Sequence, residues 1–161
     1  MSEGSAPLKR HPALQPFSRD HHHGLLQARR LSNSVPARPD ERRRVLEGFH
    51  RAWTEELEDH FECEERWLVQ LIPRDRERTR LLNDHSRLRN LARRAAEERT
   101  AEEPAPEVAR DLGGTLHDHI RWEERILFPA IEEATDPEAL DALAEKTAGM
   151  EARRDRRPQK S

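Results

Sequence analysis

An internal repeat constrains this chain more than any other feature. Asp20-His21 is followed by Ala28-Arg29-Arg30, and Asp84-His85 is followed at the same offset by Ala92-Arg93-Arg94. After the first block comes His60-Phe61-Glu62-Cys63-Glu64-Glu65-Arg66-Trp67-Leu68, and after the second His119-Ile120-Arg121-Trp122-Glu123-Glu124-Arg125-Ile126-Leu127. The chain therefore reads as two helical hairpins. Each has Asp-His on its first helix and His-x-x-x-Glu-Glu-Arg-x-Leu on its second. Packed about a pseudo-twofold axis, the hairpins would bring His21, His60, His85 and His119 together with Glu64 and Glu123.

The hydrophobic periodicity supports helices throughout. Ser18 is the expected N-cap of a first helix ending near Ser32, and Val35-Pro36-Ala37-Arg38-Pro39 breaks the pattern. Leu46, Phe49, Trp53, Leu57, His60, Glu64, Leu68 and Leu71 form one stripe of a second helix, which Pro73 ends. Leu81, His85, Leu88, Ala92 and Ala95 mark a third helix over about 75–99, and Val108, Leu112, Leu116, His119, Glu123, Ile126 and Ala130 a fourth over about 107–133. Thr135 or Asp136, with Pro137 next, opens a short fifth helix.

The expected fold class is all-α, an antiparallel up-down-up-down four-helix bundle with a short C-terminal helix. The expected organisation is an extended segment over 1–16, the bundle over 17–133, the short helix over 134–152 and a disordered basic tail over 153–161. Proline and glycine interruptions exclude the long heptad register of a coiled-coil dimer. The Arg42-Arg43-Arg44 run and the terminal arginines are read as solvated surface.

Composition narrows the function classes. Leu, Ile, Val and Phe supply only 30 of 161 residues, a lean core, but the net charge of −3 is too small for a chain kept unfolded by its own charge. That near-neutral balance also argues against a nucleic-acid partner. One cysteine excludes a disulfide framework. No apolar run approaches a membrane span, and residues 1–15 carry no apolar signal region, so a cytoplasmic location is expected.

Residues i and i+4 share a helix face, so His60 with Glu64 and His119 with Glu123 point at common spots on core-facing stripes. A buried ionised glutamate is costly unless it is paired or bound to a cation. A cluster of imidazoles and carboxylates inside a bundle is a means of holding two transition-metal ions. Around this set, position 21 shares a stripe with Phe17, Leu25 and Ala28, which favours His21 over the alternative His22. His11, His23, His50 and His117 are read as ordinary surface groups, Cys63 as a small packed thiol, and the three tryptophans as packing residues. No Glu-x-x-His precedes the core histidines, which sets the chain apart from ferritin-like di-iron sites. It contains no tyrosine for a radical enzyme and no His-Glu-x-x-His for a hydrolytic zinc site.

The pattern resembles the hemerythrin-like, or HHE cation-binding, family over about residues 17–133. The motifs that carry the resemblance are Ser-Arg-Asp-His at 18–21, His-Phe-x-x-Glu-Glu at 60–65, Asp-His at 84–85 and His-Ile-x-x-Glu-Glu-x-x-Leu-Phe-Pro at 119–129. The resemblance implies a non-heme diiron centre, two iron ions able to meet dioxygen, with His21, His60, Glu64, His85 and His119 at ligand positions. The fourth-helix carboxylate is Glu123 by the internal repeat and Glu124 by the spacing of oxygen-carrying hemerythrins. Those carriers have a further histidine where this chain has Arg89.

The expected function is therefore a diiron-binding protein that binds or senses dioxygen or nitric oxide, or handles iron and redox stress. A sensor of this kind would signal through a protein partner. The alternatives are a diiron enzyme removing peroxide or nitrogen oxides, and a structural interaction protein stabilised by its metal.

Overall fold

The structure is a computed structural model that describes residues 9–155 as five helices, with no strand among those residues. They are α1 (Gln15–Asn33), α2 (39–71), α3 (Asp75–Glu98), α4 (106–134) and α5 (Pro137–Asp155). Half of the expected lead-in, 1–8, and the end of the expected tail, 156–161, lie outside the described residues. Within the described part the fifth helix is longer than expected. It runs to Asp155, so Arg153 and Arg154 belong to it and not to a tail.

Proline starts these helices more than side-chain capping does. Pro16, Pro39 and Pro106 occupy first turns of α1, α2 and α4, where a missing N–H costs nothing, and α5 begins at Pro137. The expected cap at Ser18 is replaced: Leu14 takes the cap position four residues earlier, and the Ser18 hydroxyl donates to Glu124 Oε2 at 2.7 Å.

Three turns widen to π geometry, at Trp53–Leu57, Glu64–Leu68 and Glu123–Leu127. In each the closing N–H reaches back five residues: Glu58 to Trp53, Val69 to Glu64 and Phe128 to Glu123. A π turn takes up one extra residue, so the buried stripe advances by one beyond it. The expected Ile126 and Ala130 give way to Leu127, Phe128 and Ile131, and Ile126 is exposed. At the end of α2, Leu71 is only half-buried, and the extended residue that follows it, Ile72, enters the core. Pro129 follows in the first turn of the next regular segment, where its lack of a donor is tolerated, and α4 continues through it.

α1, α2 and α3 each pack on the next helix, α4 returns to pack most extensively on α1, and α5 also lies against α1. The apolar interior divides into two clusters. One contains Leu46, Phe49, Trp53, Phe61, Leu88 and Leu112, and the other Phe17, Leu68, Leu81, Phe128, Ile131 and, from α5, Leu140, Leu143 and Met150. Arg42 corrects the expectation of a solvated arginine run. It is buried, and it donates to the carbonyls of Ser34, Val35, Ala37 and Pro104, joining the α1–α2 and α3–α4 connections. Arg43 binds the carbonyls of Ala101 and Glu102, leaving Arg44 as the exposed member.

Candidate metal centre

The repeat becomes geometry where the two apolar clusters meet. Asp20 and His21 come from α1, His60, Glu64 and Glu65 from α2, Asp84 and His85 from α3, and His119, Glu123 and Glu124 from α4. The four imidazoles and the carboxylates of Glu64 and Glu123 are buried. His21, His60, Glu64 and Glu123 offer ligand atoms within 4.8 Å of one another, and so do Glu64, His85, His119 and Glu123. Both glutamates belong to both groups.

The two nitrogens of each ring have separate tasks. Every Nε2 faces a shared glutamate: His21 to Glu123 at 2.8 Å, His60 to Glu64 at 3.0 Å, His85 to Glu64 at 3.0 Å and His119 to Glu123 at 3.3 Å. Every Nδ1 faces a different, outer carboxylate. His60 donates to Asp20 at 2.9 Å and His119 to Asp84 at 3.0 Å, each within one hairpin. His21 donates to Glu124, and His85 to Glu65 at 2.7 Å, each across to the other hairpin. Carboxylate partners of this kind set the tautomer and orientation of a metal-ligating imidazole. The outer glutamates are held in turn by Arg10, 3.1 Å from Glu124, and by Arg89, 2.8 Å from Glu65.

The donor set fits cations. His60 Nε2, His119 Nε2, Glu64 Oε2 and Glu123 Oε2 are buried without a hydrogen-bond partner, although the histidine–glutamate pairs lie at ion-pair distance. Such atoms aim at a common point between residues, an arrangement that is costly unless a cation completes it. Imidazole with carboxylate, and no thiolate, suits iron, zinc or manganese better than copper(I) or a cluster. Burial opposes charging of the rings, but the facing carboxylates outweigh it. The pKa values of His21, His60 and His85 are raised, and Glu123 with Asp84 holds His119 up at about 10. Glu123 is depressed well below the usual carboxylate range, its burial outweighed by His119 and His21. The His85 hydrogen bond, against the effect of burial and with help from Arg89, takes Glu65 down to about 2. Protons thus balance the charge that cations would otherwise balance.

Aromatic rings wall the site. Phe61 stacks on His85 at 4.4 Å, Phe128 stacks on His21 at 5.4 Å, and Phe17 meets His60 edge-on at 5.5 Å. These contacts fix the ring planes and keep water away.

The sequence expectations can be placed residue by residue. His21 is buried in the cluster while His22 and His23 are exposed, and His23 binds Glu56. Glu123 sits with Glu64 at the centre, and Glu124 stands behind His21 as Glu65 stands behind His85. Cys63 is fully buried but belongs to neither group; its sulfur faces Arg153. His117 is exposed, and Trp53 and Trp122 pack as expected. The supporting roles of Asp20, Asp84 and Glu65 and of the two arginines were not read from the sequence. The signal was present for the acids, because the Asp of each Asp-His and the second Glu of each Glu-Glu recur in the repeat.

The sequence profile of the hemerythrin HHE cation binding domain matches residues 14–131, and a second match covers 77–155. The chain belongs to the hemerythrin HHE cation-binding family. The second match starts near the beginning of α3, where the second repeat begins. Neither the search of curated proteins nor that of solved structures returned a match. A hemerythrin-like domain is a cation-binding helical module, and the buried histidine–glutamate groups here have the chemistry to hold metal. No helix among the described residues is long and apolar enough to cross a membrane.

Proposed function

We propose that this hemerythrin-like protein holds two non-heme iron ions and uses them to bind or sense dioxygen or nitric oxide. One ion would be held by His21 and His60 and the other by His85 and His119, with Glu64 and Glu123 shared and Glu124 outside. The observation that carries this reading is that the two buried ligand groups have both glutamates in common, an arrangement that suits two neighbouring ions. The proposal includes the antiparallel up-down-up-down arrangement of α1–α4, supported by short connections and sequential packing, and a cytoplasmic location.

Two imidazoles and shared carboxylates per ion leave coordination positions free, a donor set that non-heme iron(II) uses for chemistry with dioxygen. Arg89 supports sensing or iron handling over simple carriage. It stands where the carriers' extra histidine would be, but its guanidinium is engaged with Glu65 and offers no lone pair. Within the chain, Asp20, Asp84, Glu65 and Glu124 orient the rings, and Phe17, Phe61 and Phe128 exclude water.

The deciding experiment is anaerobic reconstitution followed by metal analysis and optical spectra with and without oxygen or nitric oxide. About two irons per chain and a gas-dependent spectrum are expected. A single iron, or zinc taken in preference with iron plentiful, would overturn the reading. The same open positions would support the alternative of an enzyme that disproportionates peroxide. It would show as catalytic oxygen evolution from peroxide, lost in Glu64→Ala, whereas stoichiometric bleaching alone would exclude it.

A further inference from the structure

The repeat supplies equivalent ligands to the two halves of the centre, but the fold does not support the halves equally. Asp20, which orients His60, is 7% exposed and receives Arg154 Nη1 from α5. Arg154 is itself 11% exposed, and its other arm lies 2.7 Å from Asp59, one residue before His60. Asp84, the repeat counterpart of Asp20, orients His119 but is 26% exposed. Its nearest cation is Arg80, 48% exposed and 3.6 Å away, with its guanidinium over the Trp122 ring. The outer glutamates differ in the same direction. Arg10, on Glu124, is 10% exposed, and Arg89, on Glu65, 35%.

The pairing of Asp20 with Arg154 comes from α5, which has no repeat partner. Its buried stripe Leu140, Leu143, Thr147 and Met150 continues at helical spacing to Arg154, and its contacts are with α1 and the cluster beside His21 and His60. Arg19 on α1 also pairs with Glu151 on α5.

We propose that Arg154 is a positioning residue that makes the two metal positions unequal. Acting through Asp20, it locks His60 so that the His21/His60 position retains its cation, and the His85/His119 position is the one that exchanges. This rests on the two-ion reading above. A ring held by a buried, ion-paired carboxylate loses fewer orientations on binding metal than one held by a solvated carboxylate, and loss of such outer partners costs about 10–100-fold in affinity.

The test uses the full chain loaded with cobalt(II), whose visible bands report occupancy, and follows release into excess chelator. Two phases are expected, the slower by about tenfold or more. His119→Ala should remove the fast phase and His60→Ala the slow one. Arg154→Gln should accelerate the slow phase towards the fast one and leave the fast rate unchanged, with Arg154→Lys between. Arg80→Gln should leave the slow phase alone. If Arg154→Gln loses helical content, Asp59→Asn, which frees one arm of Arg154, must still accelerate the slow phase. Equal acceleration of both phases, an unchanged slow phase, or two ions leaving in one phase would overturn the inference. Fewer than two ions at saturation would instead overturn the two-ion reading beneath it.

Discussion

Each imidazole of the centre stands between two carboxylates, one inner and one outer, and this arrangement dictates how single substitutions behave. Glu123→Ala removes an acceptor from both ligand groups and should lower metal content at both positions, while Glu124→Gln removes only the orienting partner of His21 and should weaken binding by about 10–100-fold. Metal analysis after dialysis at fixed free metal separates the two. His21→Ala should lose metal, and His22→Ala, on an exposed ring, should keep it. The raised histidine pKa values give a pH dependence with a definite sign. In the metal-free protein the folded rings hold protons that unfolded rings, with pKa about 6.5, release. The resulting stability is full below about pH 6.5 and is lost as pH rises through the folded values, about 10 for His119. The melting temperature of metal-free protein should therefore fall from neutral to alkaline pH. Metal affinity should rise over the same range, because bound imidazoles must be neutral and loading releases protons.

Among the elements, α1 and α4 pack most extensively, with glycines at their contact. A Cβ on Gly113 would lie 2.9 Å from the Ala28 carbonyl oxygen and 3.2 Å from Leu31 Cβ, so backbone would have to move. A Cβ on Gly24 meets only the Ile120 Cδ1 tip at 2.7 Å, which a rotamer change relieves. Gly113→Ala should cost about 1–3 kcal/mol of unfolding free energy despite its gain in helix propensity, and Gly24→Ala distinctly less. Chemical denaturation of the two variants checks this. The π turns are the other device at this scale. Those at Glu64–Leu68 and Glu123–Leu127 begin at the two inner glutamates and keep the following leucines, Leu68 and Leu127, in the core.

On the scale of the whole molecule, the centre interrupts the core. The imidazoles touch Phe61 of one apolar cluster and Phe17, Phe128 and Trp122 of the other, so buried charged groups divide what would otherwise be continuous apolar packing. Metal that binds only the folded state should stabilise it by about 3 kcal/mol at a free concentration a hundredfold above its dissociation constant. Chelation should therefore lower the melting temperature while circular dichroism retains its helical signal, because each cluster remains packed on its own side. An unfolded apo chain would make the metal structural and favour the interaction-protein reading.

The sequence by itself determined the helices and the hairpin repeat, and it named the six residues that meet at the centre while leaving Glu124 open beside Glu123. These depend on local period and on the recurrence of His-x-x-x-Glu, both of which act within one helix. The same repeat pairs Leu127 with Leu68, and the core holds Leu127 and not the Ile126 that the helical stripe favours. Tertiary structure alone decided the rest. Glu124 reaches His21, and Glu65 reaches His85, each across from one hairpin to the other. Arg42 is buried because two distant connections present it with carbonyls, and Arg154 meets Asp20 because α5 folds back on α1. Apart from the bonds of Arg42 to the nearby 34–37 turn, these pairings join residues far apart in the chain, and a charged side chain shows no local sign of whether its partner will be water or a buried polar group.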